Sequence, residues 1–262
     1  MEIRNKVVLI TGSSSGIGAG AARRLAKEGA KVAIAARRKD LLEILAAEIS
    51  SQSGQALPLQ VDVTDTQAIR EMVKETVSKF GRLDVLVNNA GLGFSADVKD
   101  IEPAKLRNQV AVNLIGLIEC SQAALEPMLA QGMGHIINVG SLAGLVGAPG
   151  SSVYSATKFG VIGFSDSLRR EVHKQGINVT TFCPGFVATN FSPRLKKIAA
   201  RAPDAVHLPG VMSVDYVAGV VAGIIRHPRR LVLVPLGFSA VVQFGRAFPG
   251  IVDWATDRFT IR

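Results

Sequence analysis

Ser151-Ser-Val-Tyr154-Ser-Ala-Thr-Lys158 sets a phenol and an ammonium four residues apart, which makes them neighbours on one face of a helix. A cation beside a phenol favours the phenolate and draws a group of pKa about 10 toward the range of a working general acid or base. The same pair on a solvated helix does nothing, so its meaning depends on what else the chain supplies.

A second candidate lies near the start. Thr11-Gly-Ser-Ser-Ser-Gly-Ile-Gly18 follows an apolar run and precedes an amphipathic one. Glycines let a backbone turn tightly and approach a pyrophosphate, and the N–H groups of the following helix offer donors and partial positive charge. Gly12, Ser14, Ser15, Gly16, Ile17 and Gly18 are therefore expected to hold the phosphates of a dinucleotide; the competing reading is an ordinary glycine-rich turn. The next strand ends Ile34-Ala-Ala-Arg37-Arg38, with two guanidiniums and no carboxylate. A carboxylate there would accept from a ribose 2′-hydroxyl, whereas arginine forks match a 2′-phosphate, so NADP(H) is favoured and NAD(H) remains open. Alternatively, Arg37 and Arg38 solvate a loop or pair with Asp40 and Glu43.

The elements that must position these groups alternate along the first 190 residues. Strands are expected at Lys6–Thr11, Lys31–Ala36, Leu57–Val63, Val85–Asn88, His135–Gly140, Asn178–Cys183 and Arg230–Val234. Helices are expected at Ile17–Glu28, Asp40–Ser50, Thr66–Phe80, Pro103–Gln131, Ser152–Gln175 and Asp215–Arg226. Short β-branched runs separated by amphipathic stretches mean βαβ crossovers: an α/β, Rossmann-type, doubly wound parallel sheet of about seven strands with helices on both faces. No linker and no repeat divides the 262 residues, so a single domain over 1–262 is expected.

Composition removes several classes. Two distant cysteines, Cys120 and Cys183, support neither a disulfide scaffold nor a cysteine-rich zinc site and suit a reducing compartment. His135, His173, His207 and His227 have no metal-ligand spacing, so no metal is expected. No apolar stretch reaches the ~18 residues of a spanning helix, and the first residues do not form a signal-peptide core, so a cytoplasmic location is expected. The net charge is +9, and from Asn190 onward ten Lys/Arg face four Asp/Glu. A phosphorylated ligand or an anionic membrane face would suit that excess, as would a plain solvated surface; without interleaved aromatics, a nucleic-acid partner is not expected.

The ordered set Thr11-Gly-x-x-x-Gly-Ile-Gly18, Asp62-Val63, Asn88-Asn-Ala-Gly91, Asn113, Ser141, Tyr154-x-x-x-Lys158, Pro184-Gly185 and Thr189 resembles the short-chain dehydrogenase/reductase family in its compact single-domain branch, over nearly the whole chain to about Val234. That resemblance implies a catalytic set of Asn113, Ser141, Tyr154 and Lys158. Tyr154 would be the proton donor in carbonyl reduction or the base in alcohol oxidation. Ser141 would hydrogen-bond the substrate oxygen. Lys158 would lower the Tyr154 pKa and bind the nicotinamide ribose, and Asn113 would hold a water relaying protons from Lys158 to solvent. It also implies that Asp62 and Val63 meet the adenine, that Asn89, Ala90 and Gly91 line the adenosine side, and that Pro184, Gly185, Val187 and Thr189 form the nicotinamide side.

In the same family residues 190–213 are the substrate lid. Phe191, Leu195, Leu208 and Met212, with Leu142, Leu145 and Val146, would wall an apolar pocket suited to an apolar or acyl-bearing ketone or aldehyde rather than a sugar. Homodimers or homotetramers would form through the two long helices. The stretch 235–262 is a C-terminal extension that packs on a neighbouring subunit or, less favoured, touches a membrane surface. The leading expectation is an NADPH-dependent carbonyl reductase; an NAD(P)⁺-dependent alcohol or steroid-like dehydrogenase and a non-catalytic dinucleotide sensor are the alternatives.

Overall fold

A computed structural model describes residues 1–189, 191, 211–235, 237, 244–245, 247–251 and 253–254. Most of the expected lid and of the C-terminal extension, including Leu195 and Leu208, therefore lies outside the described residues.

Seven parallel strands form one sheet: β1 (Val7–Thr11), β2 (Lys31–Ala36), β3 (Gln55–Gln60), β4 (Val85–Asn88), β5 (Gly134–Val139), β6 (Ile177–Pro184) and, at the edge, β9 (Leu231–Val234), in the order β3-β2-β1-β4-β5-β6-β9. Two short strands, β7 (Phe186–Val187) and β8 (Val211–Met212), pair beside it. The order reverses at β1, and the crevice at a reversal is where a doubly wound sheet binds a nucleotide. Val7 to Thr11 are buried without a break, as expected of a strand covered on both faces.

Alternate residues divide between two cores. Val8, Ile10, Val32, Ile34, Val85 and Val87 face α1 (Gly16–Lys27), α2 (Lys39–Ser51) and α7 (Val214–Arg226). Val7, Leu9, Ala33, Ala35 and Leu86 face α3 (Thr66–Phe80), α5 (Gly116–Gln131) and α6 (Ser152–Val172). Two chemical signals mark the ends of α3: the Asp65 side chain accepts from the N–H groups of Gln67 and Ala68, and Gly81 stops the helix with φ +83°.

Boundaries read from the sequence match the observed elements to within about two residues, except that β3 begins at Gln55 rather than Leu57 and ends three residues early. The stretch expected as one helix over Pro103–Gln131 is α4 (Pro103–Val110), a π turn at Ala111–Ile115 and α5. Such a turn shifts the hydrogen-bond ladder by one residue, and here it carries Asn113. Gly116, immediately after it, comes so close to the Val63 carbonyl that a Cβ would collide with it. Among the described residues no helix is long and apolar enough to cross a membrane.

His135 on β5 is fully buried, with Nε2 2.9 Å from Thr180 Oγ1 on β6 and no partner for Nδ1 among the described residues. Burial pushes its pKa down to about 3, so the folded chain keeps it neutral while the unfolded chain binds a proton from about pH 6.5 downward. Its contribution is complete above pH 6.5 and is lost as pH falls toward 3, by roughly 1.4 kcal/mol per pH unit at most. Urea midpoints at pH 7.5 and 5 should therefore differ markedly, and His135→Gln, which retains a group for Thr180, should narrow that difference.

Candidate active site

The carboxyl ends of β1, β4, β5 and β6 converge on one crevice. At the end of β1, Gly12 turns the chain with φ +68°, and a Cβ there would lie 2.7 Å from Ala90 Cα. The turn after β1 and the loop after β4 touch backbone to backbone, a contact that any side chain at residue 12 would force apart. Thr11 fixes it further: its Oγ1 accepts from the N–H groups of Asn89 and Ala90, both at 3.1 Å. Asn89 Nδ2 donates back to the carbonyls of Thr11 and Gly12 at 3.0 and 3.1 Å. Asn89 is therefore a clamp on the glycine turn, a use its place in the sequence did not disclose.

Helix α1 begins at Gly16 with no side-chain cap at Ser15 and no acid in its first turn. The Ser15 hydroxyl is engaged elsewhere. Arg38 Nη2 donates to Ser15 Oγ at 2.9 Å and to Ser14 Oγ at 2.8 Å, so the guanidinium lies over the turn. Arg37 takes the other direction, with Nη1 3.8 Å from Asp62 Oδ2. Among the described residues neither forms an ion pair with Asp40 or Glu43; Lys39 takes Glu43 at 3.7 Å. Unclaimed helix N–H donors, two serine hydroxyls and a guanidinium fit the phosphates of a dinucleotide. Asp62 is occupied locally, accepting from the N–H and hydroxyl of Thr64 at 3.0 and 2.9 Å.

Across the crevice, Gly185 donates its N–H to the Val234 carbonyl at 2.8 Å, fixing the Pro184-Gly185 turn to the edge strand. Val187 is buried in β7, and Ala188 N–H donates to the Met212 carbonyl at 2.9 Å. Thr189 then approaches the glycine turn: a Cβ on Gly16 would be 3.2 Å from Thr189 Cγ2. Residues 12–18 and 184–189 thus form opposing walls.

Ser141 follows β5, and its Oγ accepts from Ala143 N–H at 3.2 Å, shaping a 3-10 turn at Leu142–Gly144. Tyr154 and Lys158 lie one turn apart on α6, with Lys158 Nζ 5.8 Å from the Tyr154 ring centroid. Lys158 is buried and donates to the carbonyl of Val139, the last residue of β5, at 2.8 Å. Its burial draws its pKa down to about 8. The phenol departs from the expectation set by its lysine: burial raises the Tyr154 pKa, and the side chain that pulls it back is Ser141, through a hydrogen bond. The ammonium donates to a backbone carbonyl and lies over the phenol ring.

Asn113 also differs in detail. Its amide is buried and fully committed: Oδ1 accepts from Leu92 N–H at 2.7 Å, and Nδ2 donates to Leu92 O at 2.9 Å and Thr157 Oγ1 at 3.3 Å. Thr157 Oγ1 in turn donates to the Tyr154 carbonyl at 2.7 Å. A water held at this residue would have to use the backbone, where the π turn disturbs the ladder. Gly91 sits by this amide, since a Cβ there would lie 3.5 Å from Asn113 Oδ1.

Cys183 on β6 completes the surroundings. Burial pushes its thiol up to about 12 against the opposing pull of Lys158 and the Ser141 backbone, so it is a neutral packing group and no nucleophile.

A family model described as short chain dehydrogenase matches residues 6–199. A 3-oxoacyl-[acyl-carrier-protein] reductase of Synechocystis sp. is 37% identical over 191 residues, which is 72% of this chain and 77% of that protein. The 3-oxoacyl-[acyl-carrier-protein] reductase FabG of Staphylococcus aureus is 40% identical over 191 residues, 72% of this chain and 78% of its own length. Among solved structures, a short-chain type dehydrogenase/reductase from Mycobacterium marinum superposes with TM-score 0.81 at 28% identity, over 90% of this chain and 96% of the other. An alcohol dehydrogenase from Thermococcus sibiricus complexed with 5-hydroxy-NADP gives 0.77 at 26% identity, over 87% and 95%. The chain belongs to the short-chain dehydrogenase/reductase family and is an NAD(P)-dependent oxidoreductase acting on C=O and CH–OH groups.

Proposed function

We propose that the chain reduces the carbonyl of an apolar ketone or aldehyde at the expense of NADPH, with Tyr154 as proton donor. The observation that carries this reading is the partly buried Tyr154 phenol beside Ser141, one helical turn from the buried Lys158 ammonium, whose Nζ lies 5.8 Å from the Tyr154 ring centroid. When bound, the dinucleotide supplies the hydride; the protein positions, polarises and protonates.

Ser141 and Tyr154 both reach the place where a substrate oxygen would sit, and two donors there stabilise the negative charge that grows on it. Burial favours the neutral phenol, so at neutral pH Tyr154 is loaded with the proton that reduction consumes. The Lys158 charge lies within one turn of the phenol and stabilises the anion left after proton transfer, and its Nζ also serves the ribose of the nicotinamide. Asn113 fixes the loop after β4 and helix α6 to one another, and its backbone is the place for a water that returns a proton from solvent. A bare sensor of dinucleotides would have no use for this buried, hydrogen-bonded set.

Arg38 supports NADPH over NADH, because its fork already lies over Ser14 and Ser15, while Arg37 is drawn toward Asp62. Gly12, Ser14, Ser15, Gly16, Ile17 and Gly18 take the phosphates, Asp62, Val63 and Asn89 to Gly91 the adenosine side, and Pro184, Gly185, Val187 and Thr189 the nicotinamide. The 3-oxoacyl-[acyl-carrier-protein] reductase relatives bear a name for reduction of an oxo group on an acyl chain, which is the substrate class proposed here. We take 1–262 as one domain with 190–213 as the lid over that substrate and 235–262 as an extension, assembled into a homo-oligomer through the helical stretches 103–131 and 152–175.

Tyr154→Phe should lower kcat for a reducible ketone by about 10²–10⁴-fold while NADPH still binds, read by fluorescence titration; unchanged turnover removes Tyr154 from the chemistry. Arg38→Ala should weaken NADPH binding by roughly 10–100-fold and leave NADH within about twofold, the loss expected for charge-assisted bonds to a phosphate. Equal losses for both cofactors would assign Arg38 to the turn instead.

A further inference from the structure

Four large apolar side chains near the end of the chain stay on the surface. Phe244, Phe248, Ile251 and Trp254 are 49% to 60% exposed, all within a span of eleven residues. Their spacing of four, three and three is that of one helical face. The backbone supplies the turns: Phe248 N–H donates to the Phe244 carbonyl at 2.9 Å, and Ile251 N–H donates to the Phe248 carbonyl at 3.1 Å. The rings of Phe244 and Phe248 follow, with centroids 4.9 Å apart and planes tilted by 41°, a favourable aromatic pair left half in water.

We propose that this face docks the protein on a bilayer that carries anionic lipid, lying in the headgroup layer rather than crossing it. Charge selects that occupant over a second copy of the chain. The protein carries +9, and from Asn190 onward ten Lys/Arg face four Asp/Glu. A symmetric pairing of two copies through this face sets like charge against like, whereas an anionic surface attracts each basic residue brought near it. In the sequence Arg246 stands among the four apolar residues, and Arg258 and Arg262 follow them. The make-up of the face agrees, because Phe, Ile and Trp side chains bury themselves at the boundary between headgroups and acyl chains. Eleven residues reach only about half of the ~20 that a spanning helix needs, so the segment lies along the surface. The docking is independent of the chemistry read at Tyr154.

Trp254 is the single tryptophan of the chain, so its emission reports the face directly. Vesicles of phosphatidylcholine and phosphatidylglycerol at about 3:1, added to the full chain, should move that emission to shorter wavelength and carry the protein into the pellet on sedimentation. Raising salt from about 0.05 M to about 0.5 M should weaken the binding by roughly tenfold, since screening removes the lipid charge but not the apolar contact. Phe248→Ser combined with Ile251→Ser should cut partitioning by about tenfold or more, with the far-ultraviolet circular dichroism unchanged, and Phe248→Leu with Ile251→Leu should retain it. Should the serine variant fail to fold, lipid brominated on its acyl chains reads insertion of the wild-type Trp254 by quenching. An unquenched and unshifted emission with no sedimentation overturns the proposal. Equal binding to vesicles of phosphatidylcholine alone overturns it by removing the anionic partner. An emission that moves with protein concentration and ignores lipid gives the face to a second copy and overturns it as well.

Discussion

A buried ammonium bonded to the last carbonyl of a central strand holds this site together. Lys158 Nζ donates to Val139 O at 2.8 Å from inside the protein, and among the described residues no carboxylate pairs with it. Removing a charge from water costs several kcal/mol unless polar groups replace the solvent, so the lysine is fixed to the few positions where they do. That requirement docks α6 onto the end of β5 at one register. From it follow the placement of Tyr154 one turn earlier and its meeting with Ser141, the residue two past Val139. Gly144 completes the fit, because a Cβ there would lie 2.6 Å from the Lys158 carbonyl and would force the 3-10 turn off the helix.

Beneath this contact a chain of amides and hydroxyls extends the same logic across the sheet. Asn88 Nδ2 on β4 donates to Asn138 Oδ1 on β5 and to Ser121 Oγ on α5, each at 2.9 Å, and Asn138 Nδ2 donates to Ser165 Oγ on α6 at 2.9 Å. Apolar packing alone tolerates small slides of a helix over a sheet. Directed bonds between buried groups do not, since breaking one leaves a polar atom without water or partner. The two helices that frame the crevice are therefore indexed to strand ends that also carry the loop of residues 89–93 and Ser141.

The fold was legible because its signals are local and repeated. Uninterrupted apolar runs such as Val7–Ile10 and the amphipathic stretches between such runs each state their structure without help from distant residues. The Tyr154–Lys158 spacing was legible for the same reason. Contacts set by tertiary approach were not. The sequence offered Arg37 and Arg38 as equals, and only the fold turns Arg38 to Ser14 and Ser15 while Asp62 attracts Arg37. The π turn at Ala111–Ile115 has no periodicity of its own, so it was read as ordinary helix. The Gly93–Phe191 contact joins residues 98 positions apart and leaves no trace in either local pattern. The spacing of Tyr154 and Lys158 likewise carries no sign of the burial that raises the phenol's pKa.

The central claim is that Lys158 is charged at neutral pH while held in a low-dielectric setting, and its own titration reads that directly. With lysine labelled at the ε-carbon, NMR shifts followed against pH should show one lysine titrating at about 8, absent from a Lys158→Arg variant. If every lysine titrates together in the ordinary range, Lys158 is not buried on the Val139 carbonyl, and the arrangement built on that bond does not hold.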